Sequence, residues 1–291
     1  MLGELLALLT AVLWALTPVF GKKALEKSSI VALNFVRSVF GSMALWLILP
    51  VVRGWQLVDV DLYSLALLTA AAVIGMGLGD LAFFKSMDMI GVSKSTAISS
   101  TYPLFTTFIS ILLLGESLTV LSFLGTVSVV LGVSLISIAS SGENEGKDNP
   151  SLRKGVVLAI ASAVIWSIGI TLIALCVRDV DPLVANTYRL SILALVLALP
   201  PLLKRSFRKG LRSGKALFWG AAAGVTGLSL GTSVYLESIK LIGAARATAL
   251  SSIYPMISAV AATLFLKEKT NLKTWVGIGL TVLGIVLLKP W

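Results

Sequence analysis

Two stretches set 152 positions apart settle the architecture: GMGLGDLAFFKSMDMIG at 75–91 and GLSLGTSVYLESIKLIG at 227–243. Glycine recurs in step at 75/227, 79/231 and 91/243, and Ser86 and Ile90 meet Ser238 and Ile242. The register runs on without a gap through SSTYPLF at 99–105 and SSIYPMI at 251–257, then through Glu116/Glu268, Gly125/Gly277 and Gly132/Gly284. From Gly75 to Leu135, 20 of 61 positions are identical. A shared apolar composition cannot keep Gly, Pro, Tyr and Glu in step, so the chain is an internal duplication. Trp14/Trp166, Asn34/Asn186 and Arg37/Arg189 extend it towards the N-terminus at the same offset.

Of the 291 residues 57% are apolar and 13% charged, where a soluble domain carries roughly a quarter. A water-soluble fold is excluded on that ground. Apolar runs lie at about 2–21, 30–52, 62–84, 93–114 and 119–139, and again at 154–177, 183–203, 215–238, 244–266 and 272–289. Each suits a helix of about 20 residues across a bilayer, and lipid leaves no alternative, because unpaired backbone groups are too costly there. The expected fold is an all-α integral membrane protein of ten transmembrane helices. Its first five-helix repeat is 1–139 and its second 154–291, joined by the polar linker SSGENEGKDNPSLR at 140–153. The opening MLGELLALL lacks a basic leader and a cleavage site, so it is read as helix 1 and not as a removable signal.

Five spans per repeat is odd, so the second copy is expected to enter the membrane in the opposite sense. The net charge of +10 is distributed accordingly: loops after spans 1, 3, 5, 7 and 9 hold 17 of the 24 Lys and Arg. The positive-inside rule makes those loops cytoplasmic and puts both termini outside a multi-pass protein of the cell membrane. The basic residues lie between apolar runs and form no soluble face, so no nucleic-acid partner is expected. The partners expected are membrane lipid and a small-molecule substrate, and the sequence leaves the oligomeric state open. Inverted helical repeats imply a central cavity near the midplane and alternating access to it.

Histidine is absent and Cys176 is the single cysteine, so imidazole or thiolate metal centres, internal disulfides and Ser-His catalysis are excluded. No phosphate-binding Gly-x-x-x-x-Gly-Lys-[Ser/Thr] loop is present. No cofactor and no enzymatic activity are expected. The alternative to a carrier is a lipid-translocating or scaffolding membrane protein, which would show a groove open to lipid.

The ordered set of Trp in the first helix (Trp14, Trp166), Arg in the second (Arg37, Arg189), Tyr-Pro in the fourth (Tyr102-Pro103, Tyr254-Pro255), Glu at its close and a Gly-rich fifth occurs twice. That set resembles the EamA-type branch of the drug/metabolite transporter superfamily, over nearly the whole chain. The resemblance implies a cavity lined mainly by helices 3, 4, 8 and 9, and export or exchange of small metabolites such as amino acids, within a range of substrates that extends to drugs and sugar derivatives. The chain departs from the family pattern at Lys85 and Glu237, and at Gly169-Ile170, which replace the Thr17-Pro18 of the first repeat.

Ionisable residues inside spans cost about 2.5 to 3.5 kcal/mol on insertion scales, so each needs a partner or a role. Arg37 and Asp80 lie at similar depth and are expected to pair across helices 2 and 3. Arg189 lacks the symmetric partner, because Asp80 is matched by Thr232. Lys85 with Asp88, and Glu237 with Lys240, are expected as i,i+3 pairs. A sharper alternative makes Asp80 or Glu237 a coupling carboxylate, with protons as the coupling ion. Arg37, Asp80, Arg189 and Glu237 are thus the coupling or gating candidates. The cavity candidates are Trp14, Asn34, Ser99, Tyr102, Trp166, Asn186, Tyr188, Ser252 and Tyr254. Ser95, Ser99, Tyr102, Thr106 and Ser110 share one face of helix 4, as a polar path or as glue between helices. Pro103 and Pro255 are expected to kink helices 4 and 9 near Ser99 and Ser251.

Overall fold

A computed structural model describes residues 1–54, 60–115, 119–139, 150–198, 207, 210–254, 256–257 and 272–287. The helices in chain order are α1 (Leu2–Leu25), α2 (Ile30–Arg53), α3 (Leu62–Ile90) and α4, which is split into Val92–Ser99 and Tyr102–Leu114. They continue with α5 (Val120–Ala139), α6 (Pro150–Cys176), α7 (Pro182–Ala198), α8 (Gly214–Ile242), α9 (Ala244–Ser251) and α10 (Leu272–Leu287). Among the described residues there is no strand, and α1, α2, α3, α6 and α8 are long and apolar enough to cross a membrane. Large apolar side chains such as Leu47, Val51 and Leu113 stand exposed on the outside, as lipid-facing positions do. Linker residues 140–149, Glu116, Glu268, Pro255 and most of the basic loop after span 7 lie outside the described residues.

Local chemistry sets the helix ends. Asp61 and Ser213, equivalent positions in the duplication, cap α3 and α8 by accepting from the backbone N–H of Ser64 and Ala216. Gly91 and Gly243 close the same two helices at φ +81°, a conformation that side chains disfavour, which explains why glycine recurs there. Pro18 breaks α1 at Leu16, whereas α6, with Ile170 in its place, runs unbroken for 27 residues. The interruption of α4 falls at Ser100-Thr101, one turn before the carbonyl-freeing Pro103. In the second repeat α9 ends at Ser251, and Ser252 and Ile253 form a turn.

The sequence held no warning of a widened, π-helical turn in each repeat, Ala71–Gly79 in α3 and Gly224–Gly231 in α8. Such turns often mark functional sites. Here each lies against the other repeat. Gly75 meets the backbone of Gly169 on α6, and Gly227 meets Thr17 on α1.

Contacts between the repeats are reciprocal. Ser86 donates to the carbonyl of Gly155, and Ser238 donates to that of Gly3, each at 2.8 Å. Helix α3 therefore runs antiparallel to α6, with its C-terminal end at the N-terminal end of α6, and α8 runs likewise along α1. Each of α2 and α5 also lies antiparallel to its own copy. Arg53, closing α2, pairs at 2.6 Å with Asp181, which precedes α7. Gly132 and Gly284 seat α5 on α10 through the backbones of Gly277 and Gly125.

Candidate functional site

A cavity of about 150 Å³ lies where α1, α3, α6 and α8 converge, with single residues from α2, α4 and α7 and Tyr254 completing its wall. At about 10 to 15 Å³ per water-sized sphere, it has room for a small metabolite. Of the helices 3, 4, 8 and 9 that the resemblance implied, α3 and α8 supply much of the wall and α4 contributes Tyr102, while residues 258–266 of the ninth span lie outside the described residues. Two hydroxyls of the α4 stripe serve neighbouring helices, Ser95 reaching the Phe83 carbonyl and Ser99 bonding Ser162 and the Ala159 carbonyl on α6. A hydroxyl that can satisfy itself on a neighbouring helix has no need of the cavity.

Two tryptophans, Trp14 and Trp166, line the cavity. The indole of Trp166 lies across Gly79, where an added Cβ would come within 2.5 Å of the ring, and that of Trp14 lies across Gly231 in the same way. Trp166 meets Tyr102 edge-on at 6.0 Å, and Trp14 meets Tyr254 edge-on at 6.4 Å. Sequence reasoning missed Phe83 and Tyr235, which are again equivalent positions. Phe83 packs on Trp166 at 5.1 Å and Tyr235 on Trp14 at 4.9 Å. Their signal was present in the aromatic pair at the 152-residue offset, three residues beyond Asp80 and Thr232.

Arg37 and Asp80 form a buried ion pair at 2.9 Å. Arg37 also donates to Asn34 Oδ1 at 2.9 Å and stacks on Phe84, 4.9 Å from the ring centre. The second oxygen of Asp80 accepts from Trp166 Nε1 at 2.9 Å. Both carboxylate oxygens thus have charge-assisted or indole donors, the arrangement that makes a buried ion tolerable. In the other repeat Arg189, 5% exposed, donates to Asn186 Oδ1 at 3.0 Å. Thr232, at the place of Asp80, and Trp14 both donate to the Gly227 carbonyl, at 3.0 and 3.2 Å.

Of the cavity candidates, Trp14, Tyr102, Trp166 and Tyr254 line it, as do Arg37, Asp80 and Arg189. The others do not border it. Asn34 and Asn186 stand behind the wall and hold the two arginines; Asn186 is itself fixed by the carbonyls of Leu228 and Ser229 and by Ser233. Ser99 serves the α4–α6 contact, and Ser252 bonds the Ala249 carbonyl within its own chain segment. Tyr188 points away and packs on Trp46 at 6.4 Å. Glu237 is half-buried off the cavity. Among the described residues no ion pair joins it to Lys240, whereas Lys85 and Asp88 do pair, at 3.1 Å. No group of three or more potential metal ligands occurs among the described residues.

These features define a multi-pass, all-helical membrane protein with a central cavity shared between two repeats. The family model of the EamA-like transporter family matches residues 1–138 and again 153–289. The chain belongs to that family, and it is a membrane transporter. It is 28% identical to an uncharacterized transporter of Archaeoglobus fulgidus, over 99% of this chain and 98% of the relative. A probable glucose uptake protein of Staphylococcus epidermidis is 26% identical over 76% of this chain and 74% of that one. A putative sugar uptake protein of Listeria monocytogenes is 24% identical over 97% and 94%. A solved structure, titled only as the crystal structure of a protein, superposes with a TM-score of 0.78 at 17% identity, over 98% of this chain and 97% of that one, so the fold is shared.

Proposed function

We propose that the protein is a secondary active carrier, an exporter or exchanger of small organic metabolites such as amino acids, working by alternating access in the cell membrane. The observation that carries this reading is the cavity at the contact between the repeats, walled by equivalent Trp, Tyr and Arg residues from each. Rocking one repeat against the other would open such a chamber to either side in turn. Inversion of the repeats is supported by the antiparallel contact of α2 with its copy α7. Two copies lying side by side in opposite directions require opposite entry into the bilayer. The loop charges support cytoplasmic linkers and external termini.

Proton coupling would act through Asp80. Protonation there removes the counter-charge of Arg37 and one acceptor of Trp166, loosening the contact of α3 with both α2 and α6. Asp80→Asn is expected to abolish any acceleration of uptake by a pH gradient while leaving downhill exchange measurable. A second substrate reading, sugars, is supported by the relatives named for sugar uptake.

Uptake by proteoliposomes, screened over amino acids, sugars and nucleosides with and without a pH gradient, tests the proposal. Saturable accumulation of one class above protein-free vesicles is expected. No accumulation of any class would reject the carrier reading.

A further inference from the structure

We infer that Arg189 binds a carboxylate of the transported molecule, in the place that Asp80 fills within the other repeat. The two repeats offer nearly the same donors. In the first, an arginine on α2 and an indole on α6 converge on the carboxylate of Asp80, each at 2.9 Å. In the second, the equivalent arginine on α7 and the equivalent indole on α1 border the cavity together with Thr232, but the carboxylate is missing. Trp14 and Thr232 make do with the Gly227 carbonyl.

Arg189 is short of acceptors. Among the described residues its side chain donates to Asn186 alone, where Arg37 reaches both Asn34 and Asp80, and no carboxylate lies within ion-pair distance of it; Asp80, the carboxylate that acts on it electrostatically, is already held by Arg37 and Trp166. A buried guanidinium held from behind by an asparagine, facing a chamber and sharing its nearest carboxylate with a second arginine, calls for an anion from outside the chain. Around it Trp14, Tyr235 and Tyr254 offer aromatic surface and few hydrogen-bonding groups. The matching ligand is therefore a small organic carboxylate with an apolar or aromatic body, a class that includes amino acids, and not a hydroxyl-rich neutral sugar. This inference rests on the carrier reading for its biological sense, but the binding it asserts is measurable without transport.

The test uses the purified full-length protein in detergent, with no gradient, probed with benzoate, its neutral analogue benzamide, and inorganic phosphate. Benzoate is expected to change tryptophan fluorescence and raise the thermal midpoint. Benzamide is expected to do neither, and Arg189→Gln to weaken benzoate about 10- to 100-fold, the range of a charged hydrogen bond. Thr232→Asp supplies the missing carboxylate from within the chain. It is expected to raise the midpoint of the unliganded protein and to abolish the benzoate response, which keeps the inference open to refutation should Arg189→Gln fail to fold. Equal responses to benzoate and benzamide, or a benzoate response unchanged in either variant, would overturn it. A response to phosphate exceeding that to benzoate would overturn the organic-carboxylate assignment and point to inorganic or phosphorylated anions. Arg189-dependent benzoate binding in a protein that moves nothing in vesicles would uphold the site and reject the carrier. Glucose transport without any benzoate response would do the reverse.

Discussion

Burial makes the Arg37–Asp80 pair sensitive to which partner is removed. Their side chains are 4% and 12% exposed. Asp80→Ala leaves a guanidinium inside the bundle with no counter-charge, and a loss of about 3 to 5 kcal/mol is expected. The double variant Arg37→Met/Asp80→Leu is expected to recover much of that loss, because two apolar groups leave no charge stranded. Thermal or denaturant unfolding in detergent, run as a double-mutant cycle, checks both. A double variant as unstable as Asp80→Ala would mean that the pair does more than neutralise itself. Asp61, outside the span at the start of α3, shows the opposite, solvent-exposed case. Hydrogen bonds from the Ser64 hydroxyl and backbone N–H hold its carboxyl below the usual carboxylate range. A depressed folded pKa stabilises above the unfolded value, near about 3.9, and that contribution is lost as the pH falls through the folded value. Asp61→Asn is expected to flatten the acid side of the stability profile and leave it unchanged in shape near neutrality.

At the scale of helices, glycines fix how closely the repeats approach. An added Cβ on Gly169 would lie 2.6 Å from the Gly75 Cα, and backbone cannot turn aside as a side chain can. Gly169→Ala is therefore expected to cost about 1 to 3 kcal/mol, as overpacking does, despite alanine's better helix propensity. Gly214, at the start of α8, has nothing within 4 Å of the same position. Gly214→Ala is expected to be neutral or to stabilise by about 0.4 to 1 kcal/mol. Comparing the two melting temperatures separates close packing from propensity. Part of this level was legible in the sequence. The interruption of α4 falls close to the kink expected from Pro103, whereas Gly91 and Gly243 stood out in the sequence as marks of the duplication and only the structure shows them ending α3 and α8. The widened turns of α3 and α8 were not legible, because each lies pressed against a helix of the other repeat, at Gly169 and at Thr17. No local pattern specifies that pressure.

Across the whole molecule, orientation is the property most directly open to test. Cys176 is buried and is the single cysteine, so the native chain gives a quiet background for thiol labelling. A membrane-impermeant maleimide is expected to reach Asp179→Cys, in the exposed turn after α6, in intact cells. Asn144→Cys, in the linker, is expected to react only after permeabilisation. The reverse pattern would turn the positive-inside assignment over while leaving the fold intact.

Duplication, helix number and the identity of the special residues came from the sequence, because a shared apolar composition cannot keep Gly, Pro, Trp and Arg in register at a fixed offset. Which face of each helix looks inward was another matter. Spans that are apolar on all sides carry no amphipathic stripe, so lipid exerts no rotational preference on them, and packing alone sets their rotation. Packing thus took Ser99 of α4 to α6 while its neighbour Tyr102 kept the cavity, and it made Asn34 and Asn186 supports behind the wall. The same packing gave one arginine an internal carboxylate and left its twin facing open space.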